Sequence, residues 1–285
     1  MTIRIFVIAT GSYKDYFEQY FIKTINRIFQ DYVKEIILFS DGLSEYHNKI
    51  YDKTIIHVKH IYNLYKFDIQ FNKFNFIKQE IDNCNNDDLL FYIDVDSIFN
   101  ENKFAENYIL NNYQDNNVHI SGQPIYYLEN LYTLDYDKIR KQVYEDEQMY
   151  GSFLFTPDEN KAELITSFMY FNKNSFNIFY KEYSKLIIEY LDNQNFPRIL
   201  PNLNDEGIIN YMYNMDIGNI SGQELYITIN LNYNENLEYK NNIIYIPWHN
   251  KNIGIDENCC LYLNDDNYII CNKRINDIIK KRMRY

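Results

Sequence analysis

The sequence predicts an α/β protein with a central mixed, mainly parallel sheet. Three observations carry this. Short, largely apolar runs of strand length recur through the first third of the chain, as in Ile3–Thr10, Glu35–Ser40 and Leu89–Ile93. Segments with helical spacing of apolar residues lie between them. Each run stops abruptly at a Gly, Asp or Ser. Strands that are apolar on both sides are buried on both faces, which is the condition of a parallel sheet covered by helices.

The elements follow in order. Ile3–Thr10 reads as a buried strand ending in the turn Thr10-Gly11-Ser12. Tyr16, Phe17, Tyr20, Phe21, Thr24, Ile25 and Ile28 then recur at helical spacing. Glu35–Ser40 is a second buried strand, closed by Asp41-Gly42, and Thr54–His60 a third, more alternating one. Asp68–Ile81 reads as a helix with Asp68 as its cap. Leu89–Ile93 is the fourth strand. In such sheets ligands sit beyond the carboxyl ends of the strands. Thr10-Gly11, Asp41-Gly42 and Asp94-Val95-Asp96 all fall there, so three candidate segments converge on one edge.

The second half is less regular. Val118–Gly122, Ser152–Phe155 and Leu164–Phe171 read as strands, Ser175–Leu191 as a long amphipathic helix, and Asn204–Tyr213 as a short helix capped by Asn204. Leu225–Leu231, Ile243–Ile246, Cys259–Leu263 and Tyr268–Cys271 are short strand-like pieces, and Ile275–Arg284 is a basic helix. No repeat or Pro/Gly-rich linker divides the chain. A single domain spans 1–285, ending in a basic tail at 273–285.

Composition narrows the function. The 285 residues are 46% hydrophobic and 18% aromatic, enough for a core that needs neither disulfides nor metals. The formal net charge of −12 argues against nucleic acid, whose phosphates require a dominant basic face. A nucleotide can still bind through a metal ion, which inverts the local charge. The four cysteines, Cys84, Cys259, Cys260 and Cys271, have no zinc spacing and read as reduced, buried thiols. No apolar run reaches the ~18 residues of a membrane span, and the N-terminal segment is too short for a signal core. The expectation is a soluble or cytoplasmic protein with no visible secretion signal.

The chemistry centres on Asp94 and Asp96. Two carboxylates at the tip of a buried strand are costly unless a positive group neutralises them. Hard cations such as Mg2+ and Mn2+ do so, sharing oxygen ligands with a substrate diphosphate. Residues two apart on extended backbone point the same way, so both could reach one metal. The bland alternative is a solvated turn. Asp135-Tyr136-Asp137 shows the same spacing without a preceding strand. Haloacid-dehalogenase-type phosphatases also place an Asp-x-Asp after an apolar strand. Their motif lies near the N-terminus and continues to a Thr, where this chain has Ile98, although Asp265-Asp266 resembles their late acidic pair.

Four segments resemble glycosyltransferase family 6, the retaining α1,3-galactosyl- and N-acetylgalactosaminyltransferases that include the blood-group A and B enzymes, of GT-A fold. Phe6-Val7-Ile8-Ala9-Thr10-Gly11-Ser12-Tyr13 is similar to that family's opening stretch. Phe39-Ser40-Asp41 resembles its Phe-Thr-Asp. Phe91 to Phe99 is similar to its segment around Asp-Val-Asp, and Asn204 to Tyr211 to its His-Asp-Glu segment. The order agrees over roughly residues 3–215.

The resemblance implies a Rossmann-like GT-A domain, with a nucleotide-binding half at 1–100 and a donor-sugar and acceptor half at 101–272, and specific roles. Ala9, Thr10, Tyr13 and Asp41 border the uracil and ribose of a UDP-sugar. Asp94 and Asp96 hold Mn2+, with Mg2+ as the alternative, against the diphosphate. Lys73 approaches the donor. Ile165, Thr166 and Ser167 lie where the family selects the donor sugar, Asp205 hydrogen-bonds that sugar, and Glu206 is the catalytic carboxylate beneath the anomeric carbon. The acceptor is a carbohydrate hydroxyl. The chain departs from the family in Thr166-Ser167 and Tyr170-Phe171, which replace Gly-Gly pairs, and in Asn204, which replaces a His. It shows no membrane anchor, as in microbial or viral relatives. Trp248-His249 resembles a second retaining family, the glycogenin-like transferases, whose His binds the metal.

Three features keep two readings each. Asp205 and Glu206 suit the dipole of a helix start as well as a catalytic site. Lys273, Arg274, Lys280, Lys281, Arg282 and Arg284 are either a solvated helix end or cations that fold over the departing diphosphate. The histidines His47, His57, His60 and His119 lack metal spacing and read as structural, while His249 stays a candidate.

Overall fold

The computed structural model describes residues 1–62, 66–99, 103–123, 163–192, 205–224, 245–247, 253–255 and 261–263. Its centre is an eight-stranded mixed sheet in the order β3-β4-β2-β1-β5-β8-β7-β9. These are β1 (Ile3–Ala9), β2 (Lys34–Ser40), β3 (Ile50–Tyr51), β4 (Thr54–His60), β5 (Leu89–Ile93), β7 (Val118–Gln123), β8 (Glu163–Phe171) and β9 (Ile220–Glu224). Strands β4, β2, β1 and β5 run parallel. Strand β8 is antiparallel to both of its neighbours, and β9 is again parallel to β7. Two small ladders stand apart from this sheet. In one, β6 (Ser97–Phe99) pairs with β10 (Tyr245–Pro247); in the other, β11 (Ile253–Ile255) pairs with β12 (Leu261–Leu263).

The helical elements are α1 to α5. The first is composite: an α turn Tyr13–Tyr16, a π-helical stretch Phe17–Phe21, then Ile22–Thr24 and a 3-10 turn Ile25–Arg27. Then come α2 (Lys66–Ile81), α3 (Lys103–Asn112), α4 (Lys173–Asp192) and α5 (Asp205–Asn214).

Alternation along the strands sorts the core into two layers. On one face Ile3, Ile5 and Val7 of β1 and Leu89, Phe91 and Ile93 of β5 pack with Phe17, Phe21 and Ile25 of α1 and Ile109 of α3. On the other, Phe6, Leu90 and Tyr92 pack with Phe74 and Ile77 of α2, Phe176, Phe179 and Tyr183 of α4, and Ile209 and Met212 of α5. Both faces of β1 and β5 are therefore covered, which is why their sequences are apolar apart from Arg4. Phe91, fully buried, contributes about 1.5–3 kcal/mol by leaving water.

Two local expectations change. Helix α2 begins at Lys66, so Asp68 lies inside it rather than capping it. Asp94-Val95-Asp96 is a turn between β5 and β6, not extended backbone. Strands β3, β6, β9 and β11 and helix α3 are additions that the apolar patterning does not reveal. The segments Ser152–Phe155, Leu225–Leu231, Tyr268–Cys271 and Ile275–Arg284 lie outside the described residues. Among the described residues no helix is long and apolar enough to cross a membrane. Cys84 is buried with a free thiol, and that burial pushes its pKa up to about 11. The other three cysteines lie outside the described residues.

Candidate functional site

Alternation along β5 continues two residues past its end. Val95 buries itself in the layer that holds Phe91 and Ile93, while Tyr92 belongs to the opposite layer. Asp94 returns to the Tyr92 side, and Tyr92 Oη donates to Asp94 Oδ1 at 2.6 Å. The Asp94 N–H donates to the Ser167 carbonyl at 2.9 Å, extending the ladder between β5 and β8 by one step. The Ser97 hydroxyl donates to the Asp94 carbonyl oxygen and tightens the turn. Asp96 lies within that turn, only 6% exposed.

Lys73 reaches this edge from α2. Its ammonium pairs with the Asp205 carboxylate at the first residue of α5, and the two side chains are both buried. The same ammonium lies 3.4 Å from Thr166 Oγ1 and 4.4 Å from the centre of the Tyr92 ring, a cation–π contact. Thr166 Oγ1 donates to Asp205 Oδ2 at 2.8 Å. Asp205, Thr166, Lys73, Tyr92 and Asp94 thus form a continuous polar chain across α5, β8, α2 and β5.

Electrostatically the site is acidic. Burial, foremost, raises the Asp94 pKa above the ordinary carboxylate range. Lys73 opposes that shift, and Asp96 and Asp205 add to it. The Tyr13 hydroxyl is likewise raised, first by burial, then by Asp96, Tyr16 and Asp94, which puts Tyr13 within the field of both carboxylates. Asp94, Asp96, Asp205 and Lys73 together carry a formal charge of −2. Two hydroxyls here are also buried without a hydrogen-bond partner among the described residues: Oγ of Ser167, the residue paired with Asp94, and Tyr183 Oη, which feels the Asp205 charge. Buried polar atoms of this kind are normally satisfied by water or a ligand.

A divalent cation fits this donor set. It would offset the excess charge through the oxygens of Asp94 and Asp96. Among the described residues no group of three or more His, Cys, Asp or Glu side chains converges to hold a metal.

The neighbouring strand ends carry a second cluster. Ser40 Oγ donates to the Ala9 carbonyl at 2.6 Å, and the Gly42 N–H donates to Ser40 Oγ at 3.2 Å. Gly11 has φ +55°, the left-handed region that favours glycine, and its N–H faces both Asp41 oxygens at 3.4 Å. Lys14 Nζ lies 3.3 Å from Asp41 Oδ1. The turn after β1 is thereby tied to the turn after β2.

The structure brings Tyr13, Lys73, Asp94, Asp96, Thr166, Ser167 and Asp205 to one edge, with Ala9, Thr10 and Asp41 at the adjoining strand ends. Ile165 lies in β8 and Glu206 follows Asp205 in α5; the side chains of both are outside the described residues. So are Asp135, Asp137, Asn204, Trp248, His249, Asp265, Asp266 and the basic tail. Two residues were not singled out from sequence: Lys14, and Tyr92, whose signal is its position two before Asp94 on an alternating strand. His47 accepts the Val58 N–H at 3.1 Å and His60 packs edge-on against Tyr62, both structural contacts.

Neither a scan against protein-family models nor a search of curated proteins finds a match to this chain.

Proposed function

We propose that this protein is a GT-A-type, metal-dependent retaining glycosyltransferase that moves a hexose from a UDP-sugar to a sugar hydroxyl. The observation that carries this is the acidic cluster of Asp94, Asp96 and Asp205 around Lys73, at the carboxyl edge of the parallel strands. Galactose or N-acetylgalactosamine is the donor sugar that the four sequence segments favour. Mn2+ or Mg2+ on Asp94 and Asp96, when bound, stabilises negative charge on the departing diphosphate.

The chain's own residues do the rest. The turns at Ala9–Tyr13 and Asp41 border the nucleoside. Thr166, Ser167 and Asp205 line the sugar, and the partnerless Ser167 hydroxyl has hydrogen-bonding capacity to give it. Lys73 holds Asp205 in place. Glu206, next to Asp205, stabilises positive charge at the anomeric carbon or attacks it, as retention requires.

The test is calorimetric titration of UDP with and without Mn2+. Binding that needs Mn2+ and is lost in Asp96→Ala is expected, as is loss of transfer in Glu206→Gln. Mn2+-independent UDP binding, or full activity of E206Q, overturns the reading. Turnover of a phosphoester without sugar nucleotide points instead to a phosphatase, and UDP binding without any turnover to an inactive nucleotide-binding protein.

One observation favours the glycogenin-like variant. The β6–β10 pairing sets Pro247 opposite Ser97, one residue after Asp96, and His249 follows two residues later in sequence. In that variant His249→Ala weakens Mn2+ binding; an unchanged affinity excludes it.

A further inference from the structure

We infer that Tyr92 is a positioning residue that engages one oxygen of Asp94, leaving the other as a one-oxygen ligand and so setting the site for a small octahedral cation over calcium. The inference rests on the metal site proposed above and adds a residue that neither the sequence segments nor the acid pair identifies.

The geometry is specific. Tyr92 is 3% exposed, so its hydroxyl needs a partner inside the protein. It finds Asp94 Oδ1 at 2.6 Å, a short charge-assisted bond. The ring cannot swing away, because it sits in the layer packed by α2 and α4 and lies under the Lys73 ammonium. Lys73 is itself fixed by Asp205 and Thr166. The orientation of Asp94 is therefore set from behind, by a side chain that never meets the cation. With one lone pair of Oδ1 committed to Tyr92, Oδ2 is the less encumbered oxygen for a metal.

Coordination number follows from that commitment. Mg2+-like cations take near-ideal octahedral sites with single-oxygen carboxylates and several waters. Ca2+ takes six to eight oxygens and readily accepts both oxygens of one carboxylate. A tyrosine that occupies one oxygen penalises the calcium mode.

The test uses the full chain, with Mn2+ alone and Ca2+ alone as probes in calorimetry. In Tyr92→Phe, which keeps the ring and its packing, Mn2+ affinity should fall about tenfold to a hundredfold, the usual effect of losing an outer partner of a ligand. Ca2+ affinity should fall less or rise, so the Mn2+/Ca2+ ratio drops. A purely structural hydroxyl would not move that ratio, and an unchanged ratio in a variant that melts like wild type overturns the inference. Should Y92F fail to fold, a manganese-soaked crystal of the wild type decides: Asp94 bound through Oδ2 with Oδ1 still on Tyr92 supports the inference, and both oxygens on the metal overturn it. A wild type that binds neither cation overturns the proposed function as well, whereas normal binding with an unchanged ratio overturns Tyr92 alone.

Discussion

The two edges of the sheet both bury carboxylates, and they treat them differently. At the amino edge Asp88 is 1% exposed and fully engaged. It accepts from the Thr2 N–H at 3.1 Å, Arg4 Nε at 3.1 Å and the Asn85 N–H at 2.9 Å. Arg4 in turn reaches Glu35 at 3.3 Å. At the carboxyl edge Lys73 pairs with Asp205 and its charge acts on Asp94, Asp96 adds a further carboxylate, and the buried Ser167 hydroxyl has no hydrogen-bond partner among the described residues. A structural carboxylate has its hydrogen bonds supplied by the protein. A functional one is held in place and left short of positive charge, at a cost that a ligand can reverse.

The largest expected effect tests that contrast directly. Asp88→Ala removes three accepted hydrogen bonds and leaves the Arg4 guanidinium with Glu35 in place of two carboxylates, so it should cost about 3–5 kcal/mol in urea denaturation. Asp96→Asn removes one of two neighbouring like charges and should leave the metal-free protein as stable as wild type or more so. The same variant should lose the stabilisation that Mn2+ gives the wild type. Equal destabilisation by both substitutions would erase the distinction between the edges.

The Lys73–Asp205 pair sharpens it. Removing only the lysine leaves a buried carboxylate without its cation, and removing only the aspartate leaves a buried ammonium. Lys73→Met and Asp205→Asn should therefore each destabilise more than their combination implies, with a coupling of about 1–3 kcal/mol in a double-mutant cycle. A coupling near zero would mean that α2 and α5 are joined by packing alone, and that this ion pair does not set the site.

How much of this could be read from residues alone follows from what generates each signal. Strands β1, β2 and β5 announce themselves because burial on both faces demands largely apolar runs, and β4 through its alternation. The Asp94–Asp96 pair is legible for the same reason, since two charges directly after such a run stand out. Lys73 was reached through a resemblance, yet nothing local marks it: its meaning comes from Asp205, 132 residues away. Tyr92 was invisible because an aromatic in an apolar strand reads as core, and only the third dimension shows its hydroxyl on Asp94. The antiparallel placement of β8 between β5 and β7 depends on long connections, which leave no periodic trace.

The smallest expected effect concerns His119, near the amino edge in β7. Its ring stacks on Tyr170 at 4.4 Å, and its Nε2 lies 2.8 Å from Asp115 Oδ1. Two influences compete. Burial lowers the imidazole pKa most strongly, while the Asp115 carboxylate and the Asn112 carbonyl pull it back up, and the net direction is down. The folded state thus takes the proton less readily than the unfolded chain, whose histidine titrates near ~6.5. As pH falls through that value the unfolded state gains the proton first, so stability present above ~6.5 is lost below it, with a slope of at most about 1.4 kcal/mol per pH unit. Denaturation midpoints of wild type and His119→Asn between pH 5 and 8 measure this, and their difference should narrow toward acid. A difference that widens toward acid would mean that Asp115 holds an imidazolium. His119 would then join Arg4 as a paired cation of the amino edge, where its burial calls for a neutral ring.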